Sequence, residues 1–176
     1  MVIRSFVFIL LGIALVSYFI PVQTNKKNDK DEDIVLLSFN DSTMYTLTPD
    51  SMNRIIYSKK VLRYKNRDVM IEGALTLKGK DKDNKEITDI LYADIIIKRD
   101  DIFNFFNNVR YRRDETITLN TDELFYNSKS KIATNTLPFD GTYFNNYIKG
   151  EQIYLDMNKY YMKANDTHFE VEIQKN

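Results

Sequence analysis

The chain has no cysteine and no tryptophan, and only 5 glycines and 3 prolines among 176 residues. Without cysteine there is no disulfide framework, no thiolate nucleophile and no thioether-linked lipid anchor. So few glycines leave little from which to build a phosphate-cradling loop, and they exclude collagen-like composition. Neither sign of charge is in excess. The 25 basic and 25 acidic residues cancel, so no bulk field exists to grip nucleic acid. The single histidine, His168, forms neither a catalytic triad nor a transition-metal site by itself, and beside Glu170 it reads as a solvated strand residue.

What is present is aromatic: 12 tyrosines and 11 phenylalanines, which favour β structure. It is also strongly apolar at the start. From Ser5 to Val22 no side chain is charged, and only Arg4 precedes that stretch. Eighteen residues rising 1.5 Å each give a helix of about 27 Å, one bilayer crossing. The run ends in bulky Tyr18-Phe-Ile-Pro21 where a signal peptidase needs small residues, so an uncleaved anchor is expected over residues 1–22. Residues 23–33, rich in charged and amide side chains, are expected to be a polar linker, with the N-terminus cytoplasmic and residues 34–176 outside it.

From Ile34 onward alternation by two recurs and no long helical periodicity does. Odd-numbered residues carry the apolar face: Val69, Ile71, Leu75 and Leu77, then Leu91, Ile95 and Ile97, then Phe103, Phe105 and Val109, then Ile117 and Leu119. This parity predicts amphipathic strands with those residues inward and Met70, Lys98 and Thr118 outward. Near the end, Phe169, Val171 and Ile173 alternate with His168, Glu170 and Glu172. Between Ile55 and Tyr64 both parities are apolar, which predicts a bulge or a crossing between layers. Turns are expected at Asn40-Asp-Ser42, Thr48-Pro-Asp50, Gly79 to Asn84 and Pro138-Phe-Asp-Gly141.

Over this alternation lies a longer period. Leu91-Tyr-Ala-Asp94, Asn120-Thr-Asp122 and Lys149-Gly-Glu151 recur 28 to 29 residues apart, each placing an acid before an extended run. The third run supplies Ile153 and Leu155. Two strands per period predict stacked β rungs that bury a shared core.

No motif for chemistry stands out. The Asp81 to Glu86 stretch lacks the oxygen ligand and glycine of a calcium loop and reads as a hairpin tip. Arg99, Arg110, Arg112 and Arg113 read as surface charge. No cofactor or metal is expected, and no enzymatic activity.

The anchor, the linker and the stacked strands together resemble the LptC family, single-pass inner-membrane components of lipopolysaccharide export. The segments that carry the likeness are Leu91 to Asp94, Leu119-Asn-Thr-Asp-Glu-Leu-Phe-Tyr126, Ile132 to Phe139 and Gly150 to Leu155. The resemblance implies an all-β fold, an open β-jellyroll or V-shaped stack of antiparallel strands, behind a single transmembrane helix. It implies an apolar groove for lipopolysaccharide acyl chains, formed by the inward residues named above together with Ile153 and Leu155. Docking to the permease subunits of an ABC transporter and to an LptA-like periplasmic bridge protein is implied too, the latter along the edge strand of Phe169, Val171 and Ile173. Two other readings stay open: a bitopic scaffold whose β domain binds only protein, and a tethered glycan hydrolase needing carboxylates paired across a cleft.

Overall fold

A strand can bend sharply only where its pleat is interrupted, and in this chain the interruptions line up. The computed structural model describes residues 33–171 except 49, 50, 81, 82, 145 and 160. The expected anchor, all of the linker but Asp33, and Ile173 lie outside the described residues. Asp33 itself bonds Arg67 at 2.6 Å. Among the described residues no helix is long and apolar enough to cross a membrane.

Those residues form one antiparallel sheet of twelve strands. Six are long: β1 (Leu37–Thr48), β2 (Ser51–Arg63), β3 (Asp68–Lys80), β4 (Glu86–Arg99), β5 (Ile102–Arg113) and β6 (Ile117–Asn127). Six are short: β7 (Ile132–Thr134), β8 (Phe139–Tyr143), β9 (Asn146–Gly150), β10 (Gln152–Asp156), β11 (Tyr161–Asn165) and β12 (His168–Glu170). Strands β1 to β6 pair in sequence order; β6 then pairs both β7 and β8, β7 leads to β10 and β11, and β8 leads to β9 and β12. The path is a meander in which β7 with β8, β9 with β10 and β11 with β12 each act as one strand broken in the middle.

The break continues as a crease through the long strands, at Asp41, Lys59, Glu72, Asp94, Asn107–Asn108 and Asp122, and then through Asn135–Pro138, Glu151 and Asp166. Asp41, Glu72, Asn107, Asn108 and Asp166 all have positive φ, between 46° and 62°. Asp and Asn tolerate that conformation better than most residues, because their short polar side chains bond locally. Lateral bonds tie the crease together: Lys59 to Glu72 at 3.1 Å, and Asn108 Nδ2 donating to Asp94 at 2.5 Å.

The crease divides the sheet into two leaves. Leaf I holds the starts of β1, β3 and β5, the ends of β2, β4 and β6, and β7, β10 and β11. Leaf II holds the remaining halves with β8, β9 and β12. Inward rows from both leaves join one core. In leaf I the row nearest the crease is Val61, Met70, Ile96, Phe105 and Leu124, cross-strand neighbours in register. In leaf II the main row, one step farther out than buried Ser58, Gly73, Ala93 and Val109, is Ile56, Leu75, Leu91, Tyr111, Leu119, Gly141 and Ile148. Gly141 belongs in that row because a Cβ would fall on the Thr118 carbonyl.

The crease corrects the parity reading. Going back from Leu75 across Glu72, the buried residues of β3 become Met70 and Asp68; going on from Ala93 across Asp94, the buried residue of β4 is Ile96. Val69, Ile71, Ile95 and Ile97, expected inward, therefore face outward and are half-buried, while Lys98, expected outward, shares the inner face with its buried neighbours Asp68 and Phe103. Parity survives through β5, where one extra residue relative to both neighbours at Asn107–Asn108 keeps Phe103, Phe105, Val109 and Tyr111 on the inner face. The mixed parity of Ile55 to Tyr64 has the same origin, since β2 buries Ile56 and Ser58 before Lys59 and Val61 after it. Asn40-Asp-Ser42 is no turn but the crease within β1, and Phe139 to Gly141 belong to β8.

Candidate functional site

The space between the leaves is the feature that the rest of the fold creates. At its centre it is dry: Leu75, Leu91, Phe103 and Phe105 are fully buried, with Phe103 stacked on Phe105 at 6.4 Å and packed against Tyr126 at 6.2 Å. At the β1 end it is not closed. Leu37, Phe39 and Met44 share the inner face with Arg63, Val61 and Ile56, their partners on β2, yet they are 49, 48 and 41% exposed while Val61 and Ile56 are buried. The inner rows therefore run from the dry centre to solvent at an edge strand that, among the described residues, has no second neighbour.

Away from the crease, at the β10–β11 end, the leaves part again around a cavity of about 680 Å³. Leaf I lines it with Leu155, Asp156 and Met162; leaf II lines it with Tyr111, Arg113, Ile117 and Tyr143, and Met157 and Phe144 come from the connecting turns. A buried ion pair stands in its wall. Arg113 donates from Nε and Nη2 to the two oxygens of Asp89 at 2.7 and 3.0 Å, and the Tyr111 hydroxyl donates to the same carboxylate at 2.7 Å. Burial, reinforced by the Asp89 charge, drives the Tyr111 phenol far above its ordinary value. A buried pair of this kind adds little net stability, but removing one partner strands a charge. Arg113, expected at the surface, is thus an interior residue.

Asn135 sits where β7 gives way to the loop before β8. It is buried, and its amide donates to Leu137 O and Thr121 Oγ1 while its carbonyl accepts from Ile153 N–H at 2.7 Å. Those bonds replace the ladder that the broken strand gives up. A second, polar cavity of about 610 Å³ lies beside the crease, lined by Arg110, Asn120, Asp122, Asp140, Lys149 and His168 among others. His168 meets Glu170 at 2.9 Å and is exposed. Among the described residues no group of acids and histidine is placed to hold a metal ion.

Of the residues expected to line a groove, the fold brings Leu75, Leu91, Phe103, Phe105, Val109, Ile117, Leu119, Ile153 and Leu155 into one core, with Leu77 packed against it. Only Ile117 and Leu155 of these reach the 680 Å³ cavity. Phe169 on β12 and Val171 just past it are 47 and 61% exposed, and among the described residues β12 pairs only with β9. Missing from the sequence reading were Val61, Met70, Ile96, Leu124 and Tyr126 of leaf I, and the polar residues Asp89, Arg113 and Asn135. The signal for Val61, Met70, Ile96 and Leu124 is available, since each lies two residues from a polar crease residue, and Tyr126 follows Leu124 by alternation.

No family model matches the chain, and no curated protein sequence matches it significantly. Among solved structures it is similar to the crystal structure of LptH, described as the LptA homologous periplasmic component of the conserved lipopolysaccharide transport device from Pseudomonas aeruginosa. The likeness covers 81% of this chain and 99% of that one, at 10% identity and a TM-score of 0.39, too loose to set residues in correspondence.

Proposed function

We propose that this chain is a periplasmic lipid carrier tethered to the inner membrane by its N-terminal apolar run. It holds the acyl chains of lipopolysaccharide between the two leaves, receives the lipid from an ABC transporter and passes it to an LptA-like bridge protein. No bond is made or broken by it. One observation carries the reading: two inner apolar rows continue without a seal from the core, through Val61 and Ile56, to exposed Phe39 and Met44. A closed sandwich has no reason to leave large apolar side chains of its inner face in water, whereas a lipid slot needs such an entry. Lipopolysaccharide as the cargo rests on the sequence resemblance to the LptC family.

The test is photo-crosslinking in cells, with the reactive residue at Phe39, Met44 or Tyr143 on the inner face and at Tyr45 or Tyr57 on the outer face. Lipopolysaccharide adducts are expected at inner sites only. Equal adducts at Tyr57, or none at any inner site in folded and anchored protein, would overturn the proposal. A second reading, a scaffold that binds only protein, is favoured by the dry centre around Phe105 and by the edges at β1, β11 and β12, which no other described strand covers. Protein adducts at Tyr45 and Phe169 without lipid adducts at Phe39 would support it.

A further inference from the structure

Among the described strand residues four cations, Arg54, Arg63, Lys98 and Arg113, reach the inner face in rows away from the crease. Two are already matched. Arg63 takes both oxygens of Asp68 at 2.7 and 3.0 Å, and Arg113 takes both oxygens of Asp89. The other two are Arg54 on leaf II and Lys98 on leaf I, and among the described residues neither enters an ion pair. The Arg54 Nε is buried with no hydrogen-bond partner. Asp68, directly opposite Lys98 in the register, has its two oxygens committed to Arg63.

Both surplus cations converge on one ring. The Arg54 guanidinium lies 5.7 Å and the Lys98 ammonium 5.8 Å from the Phe103 centroid. Arg54 also lies close enough to Tyr126 to draw its phenol down against the burial that pushes it up to about 12. Phe103, Phe105 and Tyr126 form the apolar floor beneath these charges. A guanidinium with a buried, unanswered N–H costs free energy until an acceptor arrives, and a planar fork is suited to two oxygens of one acid.

We propose that Arg54 and Lys98 form a binding site for the acidic headgroup, a phosphate or a carboxylate, of an amphiphile whose chains lie between the leaves; this rests on the lipid reading above. The two charges stand where apolar interior meets water, which is where the headgroup of a chain inserted toward Phe105 comes to rest. Asp68 and Asp89 do not repel it strongly, because each is already neutralised by its own arginine.

The test is calorimetric titration of the full-length protein with octyl phosphate, octyl glucoside and inorganic phosphate, all below any micelle concentration. Octyl phosphate is expected to bind about tenfold tighter than octyl glucoside. The double variant Arg54→Gln with Lys98→Gln is expected to erase that preference while leaving octyl glucoside binding unchanged, and Arg54→Lys to retain part of it. If the double variant does not fold, Lys98→Gln alone, at a half-buried position, is expected to reduce the preference. An intact preference in the variants overturns the headgroup site. Inorganic phosphate binding as tightly as octyl phosphate overturns it in favour of a free-anion site. Binding of neither amphiphile overturns the lipid reading, and the headgroup site falls with it.

Discussion

Strands β2 to β6 cross the crease without a break, whereas β7 to β12 cross it in pieces of three to five residues. The difference lies in how each region turns the corner. The long strands use a single acid, lysine or paired asparagine, some in the left-handed region, and resume pairing within one or two residues. The later passes insert Asn135 to Pro138, Glu151 or Asp166-Thr167, so the ladder stops and side chains such as Asn135 must satisfy the backbone instead. The first region therefore carries most of the dry core, and both cavities lie where it meets the second, which ends in an exposed edge.

The strongest way to break this contrast is to compare two phenylalanines. Phe105→Ala, in the fully buried leaf I row, is expected to cost about 3–5 kcal/mol, and Phe169→Ala, half in water on β12, less than about 1 kcal/mol, by urea denaturation. Equal costs would mean that the later strands bury as much as the earlier ones. A smaller change sharpens the boundary. Asn135→Ala strands the Ile153 N–H and is expected to cost about 1–3 kcal/mol, with faster amide exchange across β7 and β10 and unchanged protection in β3 to β5. Uniform loss of protection would show the two regions to be one cooperative unit. The smallest effect is at the crease itself. Asn107→Ala, at a φ of 62°, is expected to cost about 1 kcal/mol by the same denaturation, and Asn107→Gly close to nothing.

The all-β class and the amphipathic strands were legible because alternation by two holds wherever a strand stays within one leaf. Leu75, Leu91, Phe103, Phe105, Ile117 and Leu119 face inward as that alternation predicts. Val69, Ile71, Ile95 and Ile97 do not, because parity reverses at Glu72 and Asp94, where two residues instead of one separate the buried positions on either side. The period of 28 to 29 residues was also legible, but its acids mark bends rather than strand starts: Asp94 and Asp122 lie within β4 and β6, and only Glu151 separates two strands. The buried pair Asp89–Arg113 was out of reach, since its members are 24 residues apart and meet only because β4 and β5 align in register.

That period has a consequence for how such a domain can change in size. From Asp94 to Asp122 the chain goes out and back once in leaf I, crosses the crease along β5, and goes out and back once in leaf II. Duplicating one such segment adds two strands to each leaf and about 9–10 Å to the length of the slot, with every inward residue still inward. Inserting a different number of residues inside a strand turns part of it inside out. The polar bends thus act as a ruler: a gene encoding them can grow or shrink by whole units, and the distance the slot spans is counted in those units.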